Sequence, residues 1–195
     1  MRKCVFFAIA VILLITAPPA INAHQEGGCS KGAEWGPTVE KLLHKFKQIK
    51  TEIDDDSPCN YFVARALYAI YKLKDFNRPG NASSPYYDAN EIIEEISTKT
   101  SAWVPMGKAD DPEVLKEAQE QANALVPVVA VEKGEGHGHI AIIIPGSLKQ
   151  SRTWKHLFPC SACFFYRKPW KSYVGLPLSY AFGNPSKAVI YRRIF

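Results

Sequence analysis

Ser57-Pro58-Cys59-Asn60, followed by Tyr61 to Phe76, is the stretch on which the reading of this chain turns. Three aspartates, Asp54, Asp55 and Asp56, precede it. Apolar residues then recur at helical spacing: Phe62, Val63, Ala66, Leu67, Ile70 and Leu73. Val63, Leu67 and Ile70 fall at i, i+4 and i+7, the stripe of a helix packed on a core. Ser57 suits the N-cap position and Pro58 the first helical position. The prediction is a buried helix with Cys59 in its first turn. Unpaired backbone N–H groups and the positive end of the helix dipole stabilise a thiolate there. A nucleophilic thiol is therefore one reading of Cys59; a small hydrophobe at a helix start is the plainer one.

Working back toward the N-terminus, Thr38 to Ile49 reads as a helix with Val39, Leu42, Leu43 and Phe46 on one face, and His24 to Glu34 as a polar, Gly-rich arm. Arg2 and Lys3 precede an apolar run, Val5 to Ile15, and a small-residue stretch ends at Ala23. This is the pattern of a signal peptide over residues 1–23. The apolar run is too short to span a bilayer comfortably, and no second one follows. The expectation is an exported protein, periplasmic or secreted, with one domain over residues 24–195 and no membrane attachment after cleavage. The 195 residues carry a net charge of +5, which falls to +3 once Arg2 and Lys3 are removed. That mild basicity suits an anionic polymer such as a cell wall. No run of Lys or Arg is dense enough to argue for nucleic acid.

Working forward, Asn77 to Pro85 is a loop by composition, with a formal glycosylation sequon at Asn81-Ala-Ser83. Asp88 to Ser97 reads as a short helix, Trp103 to Gly107 as a loop, and Pro112 to about Leu125 as a helix capped by Asp111. The remainder is rich in β-formers: Val126 to Val131, Ile140 to Ile144, Leu157 to Tyr166 and Ala188 to Ile194. Helices first and antiparallel strands later is an α+β order.

Four cysteines follow the leader: Cys29, Cys59, Cys160 and Cys163. Cys160-Ser-Ala-Cys163 looks like a CxxC motif, but no further ligands stand at zinc-site spacing. A redox CxxC should open a helix, whereas this one lies in a predicted strand. Residues three apart in a strand point to opposite faces, roughly 10 Å apart, beyond disulfide reach. One of the two is therefore expected to be free or to pair with Cys29.

Gly136-His137-Gly138-His139 runs directly into Ile140-Ala-Ile-Ile-Ile144. A histidine stands at the first residue of a buried strand, with glycines clearing the space around it. A base so placed opposite a helix-borne thiol is the geometry of thiol enzymes. A Gly/His turn, or a weak metal site through His137 and His139, are the competing readings. His139 is preferred as the base because it abuts the apolar strand, with His137 the alternative.

Cys59-Asn60-x-Phe62-Val63 on a helix, then Gly138-His139-Ile-Ala-Ile-Ile-Ile-Pro-Gly146 on a strand, resembles the papain-like peptidoglycan amidases: the NlpC-type and CHAP-type endopeptidases and the related type VI secretion amidase effectors. The resemblance covers roughly Asp54 to Tyr166 and rests on short motifs. It implies a papain-like α+β fold, with Cys59 as nucleophile, His139 as general base and acid, and the Cys59 N–H in the oxyanion hole. It also implies cleavage of amide bonds in peptidoglycan peptides without metal or cofactor. An effector role would add a cognate inhibitor protein as partner. The family normally carries a third polar residue that orients the imidazole, and here the chain departs from the usual pattern. Pairing Ile140–Ile144 with Leu157–Phe165 brings Ser161 or Cys163 opposite His139. Ser161 is the choice, with His156, Asn184 and Asp88 held open. Tyr86, Tyr87 and Trp103, in loops between the two motifs, are candidates for the wall of a peptide groove. A protein-directed cysteine protease, an acyl transferase, or a non-catalytic wall-binding protein would share these motifs.

Overall fold

The computed structural model describes residues 35–49, 58–151 and 153–195. The leader, Cys29, the three aspartates and the Ser57 cap lie outside the described residues. Four α-helices are present among those described: α1 (Trp35–Ile49), α2 (Pro58–Tyr71), α3 (Ala89–Ile96) and α4 (Pro112–Asn123). The strands are β1 (Trp103–Lys108), β2 (Val128–Glu132), β3 (His139–Ile143), β4 (Lys149–Gln150), β5 (Leu157–Phe158), β6 (Cys160–Cys163), β7 (Tyr173–Pro177) and β8 (Ala188–Arg193). Six of them form an antiparallel sheet in the order β1-β8-β2-β3-β6-β7, while β4 and β5 pair as a separate ribbon.

The sheet is covered on both faces. Val129, Val131, Ile140, Ile142 and Ile144 join the core of α1, α2 and α3. The alternate residues Val128, Ala130, Ala141 and Ile143 join Leu115, Ala118 and Ala122 of α4 on the other side. Two buried faces explain why β2 and β3 read as continuous apolar runs instead of alternating ones. The predicted stripe of α2 is real: Phe62, Val63, Ala66 and Leu67 are fully buried. The helix ends sooner than its periodicity implies, because Lys72 adopts a left-handed backbone (φ 60°). Phe76 lies beyond that end yet stays in the core, stacked on Trp103 at 5.3 Å. Asp88 caps α3 in a reciprocal capping box with Glu91, and Asp111 caps α4 with Pro112 in the first turn.

Three sequence expectations are corrected. Trp103 to Gly107 is not a loop but most of β1, an edge strand paired with β8, and Pro105 and the register shift before Gly107 are tolerated because the outer side of an edge strand needs no ladder hydrogen bonds. Leu157 to Tyr166 is not one strand. Pro159 divides it between the ribbon strand β5 and the sheet strand β6. Strand β7 was not expected, since Gly175 and Pro177 mask it. Its φ of 85° at Gly175 is open to glycine and strained for other residues.

Candidate active site

His139 is delivered by a glycine loop, residues 134–138, whose shape is held by α3. Asn90 donates from Nδ2 to the carbonyls of Gly134 (3.0 Å) and Gly136 (3.3 Å), and its Oδ1 accepts from the Gly134 N–H (3.1 Å). The fit leaves no room for a side chain at Gly134 or Gly138, while Gly136 faces open space. A Cβ on Gly138 would lie 2.6 Å from Asn90 Oδ1 and 2.7 Å from the Glu132 carbonyl, and one on Gly134 would lie 2.2 Å from the His137 carbonyl. The glycines beside the histidine are therefore a close-approach requirement. Once delivered, the imidazole is fixed by its neighbours: it stacks on Phe165 at 5.1 Å and meets the edge of Phe182 at 5.5 Å. Its Nε2 lies 3.1 Å from Cys163 Sγ.

Cys59 stands at the second residue of α2 and is 8% exposed. Backbone N–H groups of Asn60 and Ile140 point at its sulfur. The neighbouring Asn60 is fully buried and donates from Nδ2 to the Tyr87 carbonyl, tying the start of α2 to the segment that leads into α3. The bridged register of β3 with β6 stops at Ile142↔Ala162. Beyond it, at the end nearest Cys59, Cys163 Sγ lies 3.8 Å from the carbonyls of Ile140 and Phe164 and 3.1 Å from His139 Nε2. Cys59 and His139 line one cleft of about 480 Å³, together with His137 and the Phe165–Lys168 segment.

The electrostatics differ from the sequence expectation of a stabilised thiolate. Burial raises the Cys59 thiol from about 9 to about 11, the backbone N–H groups pull it down by less, and the Asp88 charge adds to the rise. Burial likewise lowers His139 from 6.5 to about 4. Burial, with the nearby Cys59, pushes Cys163 well above the ordinary thiol range. The resting site is thus a neutral thiol beside a neutral imidazole, with a second neutral thiol behind it. Desolvation outweighs the helix terminus because Cys59 sits under the lip of the cleft.

Cys59 and His139 are brought together as expected, and His137 lines the same cleft with its ring exposed. Ser161 is not. It pairs with Ile143, and its Oγ bonds Tyr173 OH (2.8 Å) and lies 3.2 Å from the Leu176 carbonyl. Cys163, two residues on, takes the place beside the imidazole. The register that pairs Ser161 with Ile143 is not legible from strand propensity. His156 is exposed and borders a different hollow with Lys155 and Leu157, and Asn184 closes a turn on Ser186. Asp88 is occupied as the α3 cap. None of the three aromatic candidates lines the cleft. Tyr86 packs on Tyr61 (4.7 Å) and accepts from Arg65 (3.3 Å), and the Arg78 guanidinium lies over Tyr87 (5.6 Å). Trp103 is buried and donates from Nε1 to Asp75 (2.9 Å), which also pairs with Arg193 (2.7 Å). They pin the loops around α2 and α3 instead.

Sequence reasoning missed Asn90, Phe165 and Cys163 in its positioning place. Only the last carried a signal, as the other residue named opposite His139. Cys160 is disulfide-bonded to a partner outside the described residues, where the expected Cys29 also lies; Cys59 and Cys163 are free. Among the described residues no group of three or more His, Cys, Asp or Glu is placed to hold a metal ion, and no helix is long and apolar enough to cross a membrane. No protein-family model matches the chain, and no match to a curated protein was found.

Proposed function

We propose that this protein is an exported thiol hydrolase of papain-like architecture that cleaves amide bonds in peptidoglycan peptides. The observation that carries the reading is the shared cleft of Cys59 and His139, with Cys163 seated behind the imidazole. That seating supports one tautomer. In this reading Cys163 stays protonated and turns its S–H toward a backbone carbonyl, Ile140 or Phe164, so that its sulfur accepts from Nε2–H of His139. Nδ1 keeps the lone pair and is the nitrogen left for Cys59.

In this mechanism the Cys59 proton passes to His139 as sulfur attacks the carbonyl carbon. A neutral pair ionises only while the bond forms, so His139 acts as a general base to a thiol and not as the partner of a standing thiolate. The Cys59 N–H, in the first turn of α2, stabilises the developing oxyanion. Collapse breaks the C–N bond, and the imidazolium returns its proton to the departing amine. Water, deprotonated by His139, then attacks the thioester, and Cys59 leaves with that proton. The mild basic charge of the chain and its leader-like N-terminus support a wall substrate, and an effector role would bring a cognate inhibitor as partner.

The test is mass spectrometry of fragments released from purified peptidoglycan by the protein and by its Cys59→Ala variant. New amine termini that depend on Cys59 are expected. Equal release by a folded Cys59→Ala variant would refute the mechanism. The raised thiol favours a second reading, a non-catalytic wall-binding protein. It predicts sedimentation with peptidoglycan and no fragments from either protein.

A further inference from the structure

Beyond the two catalytic groups, the cleft has a charged wall that the mechanism does not use. Arg167 and Lys168, in the β6–β7 connection, line it beside Phe165, and both are exposed. Neither side chain makes an ion pair or hydrogen bond among the described residues. Among the described residues no carboxylate lines the cleft. Among the described acids, Asp88 is committed to the cap of α3 and acts on Cys59 from there, and Glu132 and Glu135 flank the glycine loop without lining the cleft. A second groove shares Phe165 and Lys168 with the cleft and continues past Lys171 and Tyr180. The positive wall therefore extends away from Cys59 along one direction.

Two cations without a partner among the described residues share the wall of the cleft with Cys59 and give that wall a positive charge that a ligand is free to complete. We propose that Arg167 and Lys168 form a carboxylate subsite that selects substrates bearing a free negative charge beside the scissile amide. The inference rests on the reading of this cleft as a thiol-hydrolase site and names its substrate class: an anionic peptide. Arg167 supplies a two-pronged donor set suited to a carboxylate, and Lys168 a mobile charge at the junction with the second groove.

The test separates the subsite from the hydrolase reading. Cys59 is alkylated with iodoacetate or with iodoacetamide, which differ mainly in charge, and the modified cysteine is identified by peptide mapping. The ratio of the two rates is compared between the unmodified protein and the Arg167→Gln/Lys168→Gln variant at one pH. The ratio is expected to fall about fivefold or more in the variant, and to fall with added salt in the unmodified protein only. A ratio unchanged by the double substitution overturns the subsite. In a second arm, soluble peptidoglycan peptides with free carboxylates are compared with the same peptides after amidation. The unmodified protein is expected to prefer the free acids, and the variant to lose about tenfold of that preference. An equal preference in both proteins also overturns the subsite. Absence of any cleavage by the unmodified protein counts against the hydrolase reading alone, since the alkylation ratio still decides the subsite.

Discussion

Strands β3 and β6 run side by side and have unlike ends. At the end near α4, the ladder is closed by amides. The Ile144 N–H donates to the Cys160 carbonyl (2.8 Å), and buried Gln119 donates to the Ile144 carbonyl (3.0 Å) and accepts from the Cys160 N–H (2.8 Å). Asn123 closes the next turn in the same way, on both the N–H and the carbonyl of Gly146. At the end near α2, the bridged register has stopped, and the polar groups are two thiols and an imidazole. An amide side chain satisfies a donor and an acceptor at once and holds strands at fixed distance. Thiols make weak hydrogen bonds, so the groups at the open end are held in place by packing and stay chemically uncommitted. One end of the strand pair is closed by amides, and the other keeps its polar side chains uncommitted.

Substitutions at the two ends should therefore fail differently. The largest effect is expected from His139→Ala, which removes the half-buried imidazole of the cleft: turnover should fall on the order of a thousandfold, with the thermal unfolding midpoint little changed. A comparable loss of midpoint would mean that the open end also carries the fold. Gly138→Ala comes next. The added Cβ forces the loop away from Asn90 and the Glu132 carbonyl, shifting His139, and turnover should drop about a hundredfold. Gln119→Leu is the opposite-end control. It strands the Ile144 carbonyl and the Cys160 N–H, so chemical denaturation should show a loss of about 2–3 kcal/mol, while the activity of the folded fraction persists.

The pH dependence sharpens the same contrast. Between pH 6.5 and about 4 the unfolded chain takes up a proton at His139 that the folded chain refuses. Stability is fully present above that window and declines as pH falls through it, by about 1–3 kcal/mol. His139→Gln should flatten this acid slope. For Cys59 the sign reverses: its raised value makes the fold lose stability as pH climbs from 9 toward 11, and Cys59→Ala should remove that part. The smallest effect is expected from Cys163→Ala, about tenfold in turnover. Because Cys163 positions the imidazole without touching substrate, the diagnostic is the His139 tautomer read by nitrogen NMR. The protein should hold the proton on Nε2, and the variant should show a mixture.

How much of this was legible follows from the range of each interaction. The Cys59 helix, the Asp111 cap and the His139 strand are encoded in neighbouring residues, where periodicity and capping chemistry act over three or four positions. β7 was hidden because Gly175 and Pro177 read as turn residues, and β1 because Pro105 reads the same way. The packing roles of Tyr86, Tyr87 and Trp103 were hidden too, since loop aromatics look alike whether they face a cleft or a core.

By itself, then, the sequence determined which residues could react: a thiol at a helix start and a histidine behind glycines, both local consequences of backbone geometry. Only the tertiary structure decided what stands beside them. Cys163, and not Ser161, lies against the imidazole, because the β3–β6 register pairs Ser161 with Ile143. Asn90 shapes the loop from 44 residues away. The thiol is neutral and not a thiolate, because burial under the assembled sheet outweighs the short-range pull of the helix end.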